Sequence, residues 1–160
     1  MDIDPTDFRR ALGCFPTGIA VVTTADTDGT PAGITVSSFN SVSLEPPLIL
    51  WSIDRTAASF AVFAEAGHFA VNVLSRAELP LVSRFAEPGG DKFAGLTLRR
   101  GIGGVPILPD FAACFQCSTE HRYDGGDHLI LVGRVLALED HDKEPLIFHR
   151  GLYHERGGEL

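Results

Sequence analysis

The most constraining stretch of this 160-residue sequence lies near its C-terminal end. Residues 111–123 and 128–140 are two long strand-like runs separated only by Asp124-Gly125-Gly126-Asp127. A short Asp/Gly connection supplies the backbone freedom that a tight turn needs, so the two runs are expected to fold back on each other as an antiparallel pair. A second hairpin is predicted near the other end, from Ile19 to Thr24, the turn Asp26-Thr27-Asp28-Gly29, and a strand from Pro31 to about Ser37. Pro46-Pro47 introduces a further strand, Leu48 to Ile53, whose nearly unbroken apolar run predicts burial on both faces. His68 to Leu74 brings the total to about six strands.

Helical spacing appears in Pro5 to Phe15, with Phe8, Leu12 and Phe15 in phase, in Thr56 to Ala64, ended by Gly67, and in Ala77 to Phe85. Gly89 to Pro109 is rich in Gly and Pro and reads as mostly loop. The helices do not alternate regularly with the strands, and hairpins bracket the chain. That favours an antiparallel closed sheet with helical decoration over a doubly wound parallel one. The length suits a single domain over residues 1–160, with a core that needs no covalent staples.

Charge narrows the partners. The 21 acidic residues outnumber 13 basic ones, for a net charge of −8, and a field of that sign repels nucleic-acid backbones. A local phosphate site stays open, because backbone N–H groups can hold an anion without net positive charge. Apolar stretches such as Pro47 to Trp51 are too short to span a bilayer, and the start, Met1 to Pro5, lacks the regions of a signal peptide, so a cytoplasmic protein is expected. Cys114 and Cys117 form a C-x-x-C, but on a strand such positions face opposite ways, so buried small hydrophobes are expected rather than a shared metal or disulfide. The six His are scattered; the spacing of five between His149 and His154 suits neither a strand face nor a helix face, so no metal is expected.

The sequence has no dinucleotide fingerprint, Walker loop, nucleophile elbow or paired-His zinc motif. Three segments invite a chemical reading. From Ser52 to Ser59 a strand runs into hydroxyl groups and Arg55 before a helix; this is either a phosphate cradle or plain N-capping by Thr56. From Gly33 to Ser43 hydroxyls crowd a strand, which calls for a polar planar ligand or for solvent. His128 ends the turn after Asp127, as a site group or as a solvated loop imidazole.

Taken in order, Phe15-Pro16-Thr17-Gly18, Thr35-Val36-Ser37-Ser38-Phe39, Ser41 to Leu48, Phe69 to Leu74, Arg84-Phe85-Ala86, Asp91-Lys92-Phe93, Gly126-Asp127-His128 and His149 to Tyr153 resemble the flavin-reductase-like proteins with the FMN-binding split barrel. The resemblance covers nearly the whole chain and is strongest to short-chain reductase components of two-component flavin monooxygenases. It implies a mainly β, Greek-key-like split barrel that works as a homodimer. It implies an NAD(P)H-dependent flavin reductase, with FMN or FAD as flavin and NADH or NADPH as reductant, supplying reduced flavin to a partner monooxygenase.

By the same resemblance the flavin lies against Thr35, Val36, Ser37 and Ser38. Its phosphate end lies at Ser52, Asp54, Arg55, Thr56 and Ser59, closed over by Ser83, Arg84 and Phe85. His128, His149, Arg150 and Gly151 lie on the nicotinamide side. No catalytic dyad is expected, because the two cofactor rings carry the reaction and the protein supplies proximity and orientation. Two alternatives share the barrel. One is a flavin-retaining oxidase of the pyridoxamine-phosphate oxidase type, which would want more basic groups than Arg55 and Arg84. The other is a non-catalytic flavin-binding protein.

Overall fold

The structure is a computed structural model and describes residues 3–157; Met1 and Asp2 of the chain start read above lie outside the described residues. Helix α1 (Pro5–Leu12) is followed by β1 (Thr17–Gly18), β2 (Ala20–Ala25), β3 (Pro31–Val36), β4 (Asn40–Leu44) and β5 (Pro47–Asp54). Then come α2 (Phe60–Glu65), β6 (His68–Val73) and α3 (Leu79–Ala86), the last entered through a 3-10 turn at Arg76–Glu78. Short strands β7 (Arg99–Arg100) and β8 (Pro106–Ile107) precede the long pair β9 (Ala113–Gly125) and β10 (His128–Asp140), and β11 (Ile147–His149) and β12 (Leu152–His154) close the chain.

Seven strands form one antiparallel sheet in the order β3-β2-β6-β9-β10-β5-β4. The hairpin expected from the Asp/Gly turn is its spine: His128 pairs with Gly125, and Gly126 takes a positive φ of 74°. Strands β3 and β4 are the two edges and do not pair. Instead the Ser38 hydroxyl, just beyond β3, accepts from the Ser52 N–H at 3.0 Å and donates to the Ser52 carbonyl at 3.1 Å. A side chain thus closes a seam that a strand ladder would otherwise close. This is the antiparallel split barrel that the resemblance implied.

The core falls into three clusters. The largest packs Trp51, Phe63, Phe69 and Leu131 inside the curved sheet, with the Phe63 ring edge-on to Trp51 at 5.0 Å. A second holds α3 against β2 through Val82, Phe85, Val21 and Leu74. The third contains Cys114 with Ala70, Val105, Ile107 and Phe111. Cys117 belongs to the first cluster and Cys114 to the third, so the two thiols do lie on opposite faces of β9.

Several expectations need correction. Helix α1 stops at Leu12, and its apolar side is not buried: Phe8, Leu12 and Phe15 are all more than half exposed. Strand β5 alternates rather than burying both faces, with Ile49, Trp51 and Ile53 inside and Leu48, Leu50 and Ser52 only partly covered. The helix expected from Thr56 begins only at Phe60. The Asp54 carboxylate accepts from the Thr56 N–H and hydroxyl, both at 2.7 Å, which holds residues 54–57 in an Asx-type turn. Ser59 occupies the cap position without making a side-chain capping bond. Residues 89–109 are mostly loop, yet Val105, Ile107 and Leu108 are core residues. Thr23 Oγ1 donates to the Pro106 carbonyl at 2.5 Å, and Asn72 Oδ1 accepts from the Leu108 N–H at 3.2 Å. Strand β4 and the small β1-β11-β12 sheet were not foreseen.

Candidate functional site

The end of β3 opens onto a groove of about 970 Å³. It is lined by Thr17, Ser37 and Ser38, by Arg9, Arg10 and Leu12 of α1, and by Phe148, Arg150 and Gly151. The last three come from the β11–β12 hairpin, whose two turn residues, Arg150 (φ 51°) and Gly151 (φ 81°), are both left-handed. A left-handed arginine is a strained choice, and its neighbours hold it there. Its N–H donates to the Gly13 carbonyl at 3.3 Å and its guanidinium reaches Cys14 Sγ at 3.1 Å.

Within Thr35–Ser38 most side chains are already engaged. The Thr35 hydroxyl donates to the Val82 carbonyl at 2.8 Å, Val36 is buried, and the Ser38 hydroxyl serves the seam. Ser37 alone is exposed. Because β3 is an edge strand, every second peptide group along it has no strand partner, so here the backbone is the chief source of donors and acceptors. In the same groove the Thr17 hydroxyl is buried and has no hydrogen-bond partner among the described residues. An orphaned hydroxyl in one groove with the exposed Ser37 fits the polar edge of a planar heterocycle such as a flavin.

The Asp54–Thr56 turn and the β9–β10 hairpin tip form a second constellation. Asp54 lies opposite His128 across the β5–β10 ladder, and the Arg55 N–H donates to the Asp127 carbonyl at 3.0 Å. The Arg55 guanidinium pairs with Asp124 and sits 5.6 Å from the Phe60 ring centre. His128 Nδ1 lies 2.7 Å from Asp127 Oδ1. Two hydrogen bonds from Thr56, with a smaller contribution from His128, hold the Asp54 carboxyl below its usual range.

The remaining residues sit elsewhere. Ser59 borders a second cavity of about 690 Å³, between the start of β3 and residues 89–93. Lys92 lines this cavity, donates to the Phe85 carbonyl at 3.0 Å, and is pushed below the usual lysine range by burial. On α3, Ser83 is exposed and Arg84 bonds the Ala94 carbonyl. The ring of Phe85, expected over the flavin, is fully buried between Gly33 and Phe93 and is a core group instead. His149 lies on β11, its ring 6.1 Å from that of His154.

The fold therefore brings Ser37 and Ser38 together with Arg150 and Gly151, and joins Asp54, Arg55 and Thr56 to His128. Sequence reasoning passed over Thr17, Arg9 and Phe148 as site residues. The Phe-Pro-Thr-Gly signature did mark Thr17; Arg9 carried no signal beyond its place on an amphipathic helix.

Comparison with known proteins identifies the family. Residues 12–157 match the family described as flavin reductase like domain. The chain is 43% identical over 150 residues to a probable flavin reductase of Rhizobium meliloti, covering 94% of this chain and 48% of that protein. It is also 43% identical over 152 residues to the reductase subunit of a flavin-dependent monooxygenase from Rhodococcus jostii, covering 94% and 77%. The crystal structure of an NADH:FAD oxidoreductase of Streptomyces globisporus superposes with a TM-score of 0.89 at 33% identity, covering 99% of this chain and 98% of that one. The chain thus spans about half the length of the Rhizobium protein and nearly all of the Streptomyces one. With its split barrel, its open β3 edge and a match over residues 12–157, the chain belongs to the flavin-reductase-like family.

Proposed function

We propose that the protein is an NAD(P)H:flavin oxidoreductase that passes a hydride from NADH or NADPH to FMN or FAD and supplies the reduced flavin to a separate flavin-dependent monooxygenase. The observation that carries this reading is the groove at the end of β3, where Ser37, Ser38 and the orphaned Thr17 hydroxyl meet Arg150 and Gly151. The flavin supplies the electron-accepting ring. The chain's own groups bind and orient: the peptide groups of Ser37 and Ser38 and the exposed Ser37 hydroxyl at the ring's polar rim, and His128, its ring held by Asp127, on the nicotinamide side. Peptide N–H groups at that rim favour the negative charge that reduction develops there. The phosphate end of the flavin is assigned to Ser52, Asp54, Arg55, Thr56 and Ser59 through the resemblance. Arg55, tied to Asp124, is the cation of that segment.

The working unit is proposed to be a homodimer of one flavin-reductase-like domain. Its support is apolar side chains left bare on β4 and β10, the strands on either side of β5: Leu44 is 93% exposed and Leu138 63% exposed. Among the described residues no helix is long and apolar enough to cross a membrane. A reaction that draws on NAD(P)H fits the cytoplasm. The activity is tested by steady-state oxidation of NADH and NADPH with FMN or FAD as the sole acceptor. Flavin-dependent loss of nicotinamide absorbance is expected, and no loss with any of the four pairs would overturn the reading.

A further inference from the structure

The arginines are distributed unevenly in what they bind. Among the described residues, nine of the eleven have the guanidinium on an oxygen acceptor. Six of these pair with carboxylates, as Arg10 does with Asp7 and Arg134 with Glu120. Arg84, Arg100 and Arg122 bond backbone carbonyls. Among the described residues the two left over are Arg9, which has no side-chain hydrogen bond or ion pair, and Arg150, whose guanidinium bonds only Cys14 Sγ. Both line the groove at the end of β3, Arg9 on the last turn of α1 and Arg150 on the hairpin turn that bonds Gly13 just beyond it. In a chain of net charge −8, two guanidinium groups without oxygen partners facing one cavity are a complementary pair for a dianion.

On the reading that this groove is the nucleotide site, we propose that Arg9 of α1, together with Arg150, holds the diphosphate of a dinucleotide lying in the groove. Leu12, Phe15 and Phe148 line the same cavity and offer apolar surface for the rings on either side of such a diphosphate, and the Thr17 hydroxyl offers one more hydrogen bond. A diphosphate brings two negative charges to match the two guanidinium groups. The exposure of α1 then has a purpose: the helix contributes nothing to the core and presents its last turn to the ligand. The diphosphate can come from the pyridine nucleotide or from FAD, and FMN has none.

Isothermal titration of the full chain with ADP-ribose, FAD and FMN at low ionic strength tests this for wild type, Arg9→Ala, Arg9→Glu and Arg9→Lys. Arg9 is on an exposed helix face, and thermal melts of the three variants matching wild type verify the fold. Arg9→Ala is expected to weaken ADP-ribose on the order of tenfold or more, Arg9→Glu further, and Arg9→Lys least, with FMN unchanged. Weakening confined to FAD also supports the site and identifies the flavin as the source of the diphosphate. Unchanged binding of both ADP-ribose and FAD in Arg9→Glu overturns the proposal, as does a parallel loss of FMN. A wild-type protein that binds ADP-ribose through Arg9 yet oxidises no NAD(P)H refutes the proposed activity and leaves this site standing.

Discussion

At the scale of single residues, the three cysteines separate cleanly. Burial pushes the Cys114 and Cys117 thiols up to about 12, whereas Cys14 is exposed. At pH 8 the two buried thiols stay protonated and shielded, so a thiol reagent should titrate one group in the native protein and three after denaturation. His128 is the residue whose role is sharpest to test. If its imidazole orients the nicotinamide, His128→Ala should cost on the order of 1–3 kcal/mol, seen as a raised KM for NADH or slower hydride transfer, with flavin affinity intact. Stopped-flow reduction with unchanged affinity and rate would leave it a solvated hairpin residue. Composition could flag His128 but not its surroundings. Asp54 and Arg55 lie more than seventy residues away in sequence, and only the β5–β10 register brings them beside the hairpin tip. Phe85 fails for the opposite reason: a motif position was read as a contact, while Gly33, lacking a Cβ, let the ring sink into the core. A Cβ at Gly33 would lie 2.6 Å from Phe85 Cε1, so Gly33→Ala should destabilise the fold by about 1–3 kcal/mol in a denaturant titration.

At the scale of elements, strong local patterns were legible and partner-dependent ones were not. The β9–β10 hairpin follows from its own turn, and β2, β3, β5 and β6 follow from β-branched runs between turn residues. Strand β4 is Asn40-Ser41-Val42-Ser43-Leu44, a polar run that becomes a strand only because β5 lies beside it. The shortened α2 reflects a local competition in which Asp54 captures Thr56 before a helix can start. The Ser38 hydroxyl is the polar link across the seam between β3 and β5, so Ser38→Ala leaves both Ser52 peptide groups without that partner. A loss of about 1–3 kcal/mol is expected, read as a fall in Tm of several degrees for a chain this size. The ties that flank β9 and β10 respond to acid. Lys143 holds the Asp110 carboxyl below its ordinary 3.8, and Arg134 does the same for Glu120. A carboxyl with a depressed folded value contributes stability above its unfolded pKa and loses it as pH falls through the folded one. Tm should therefore be level with respect to these groups from neutral pH to about pH 5 and decline below about pH 4, and Asp110→Asn should flatten part of that decline.

At the scale of the whole molecule, the bare apolar side chains of β4 and the outer half of β10 need a cover. Val42, Leu44, Leu136 and Leu138 are each at least 45% exposed, and β4, β5 and β10 are neighbours in the sheet. Sedimentation equilibrium should show a dimer, and Leu44→Asp or Leu138→Asp should shift it toward monomer; a wild-type monomer with full turnover would count against the assembly. The central claim is that this chain moves a hydride from a nicotinamide to a flavin held in an open groove. Its most direct test is anaerobic mixing of the purified protein with equimolar NADH or NADPH and FMN or FAD, following both chromophores at once. The account predicts that nicotinamide absorbance and oxidised-flavin absorbance fall together, one flavin bleached per nucleotide oxidised, at rates far above the protein-free mixture. Rates equal to that mixture for every pairing would contradict it.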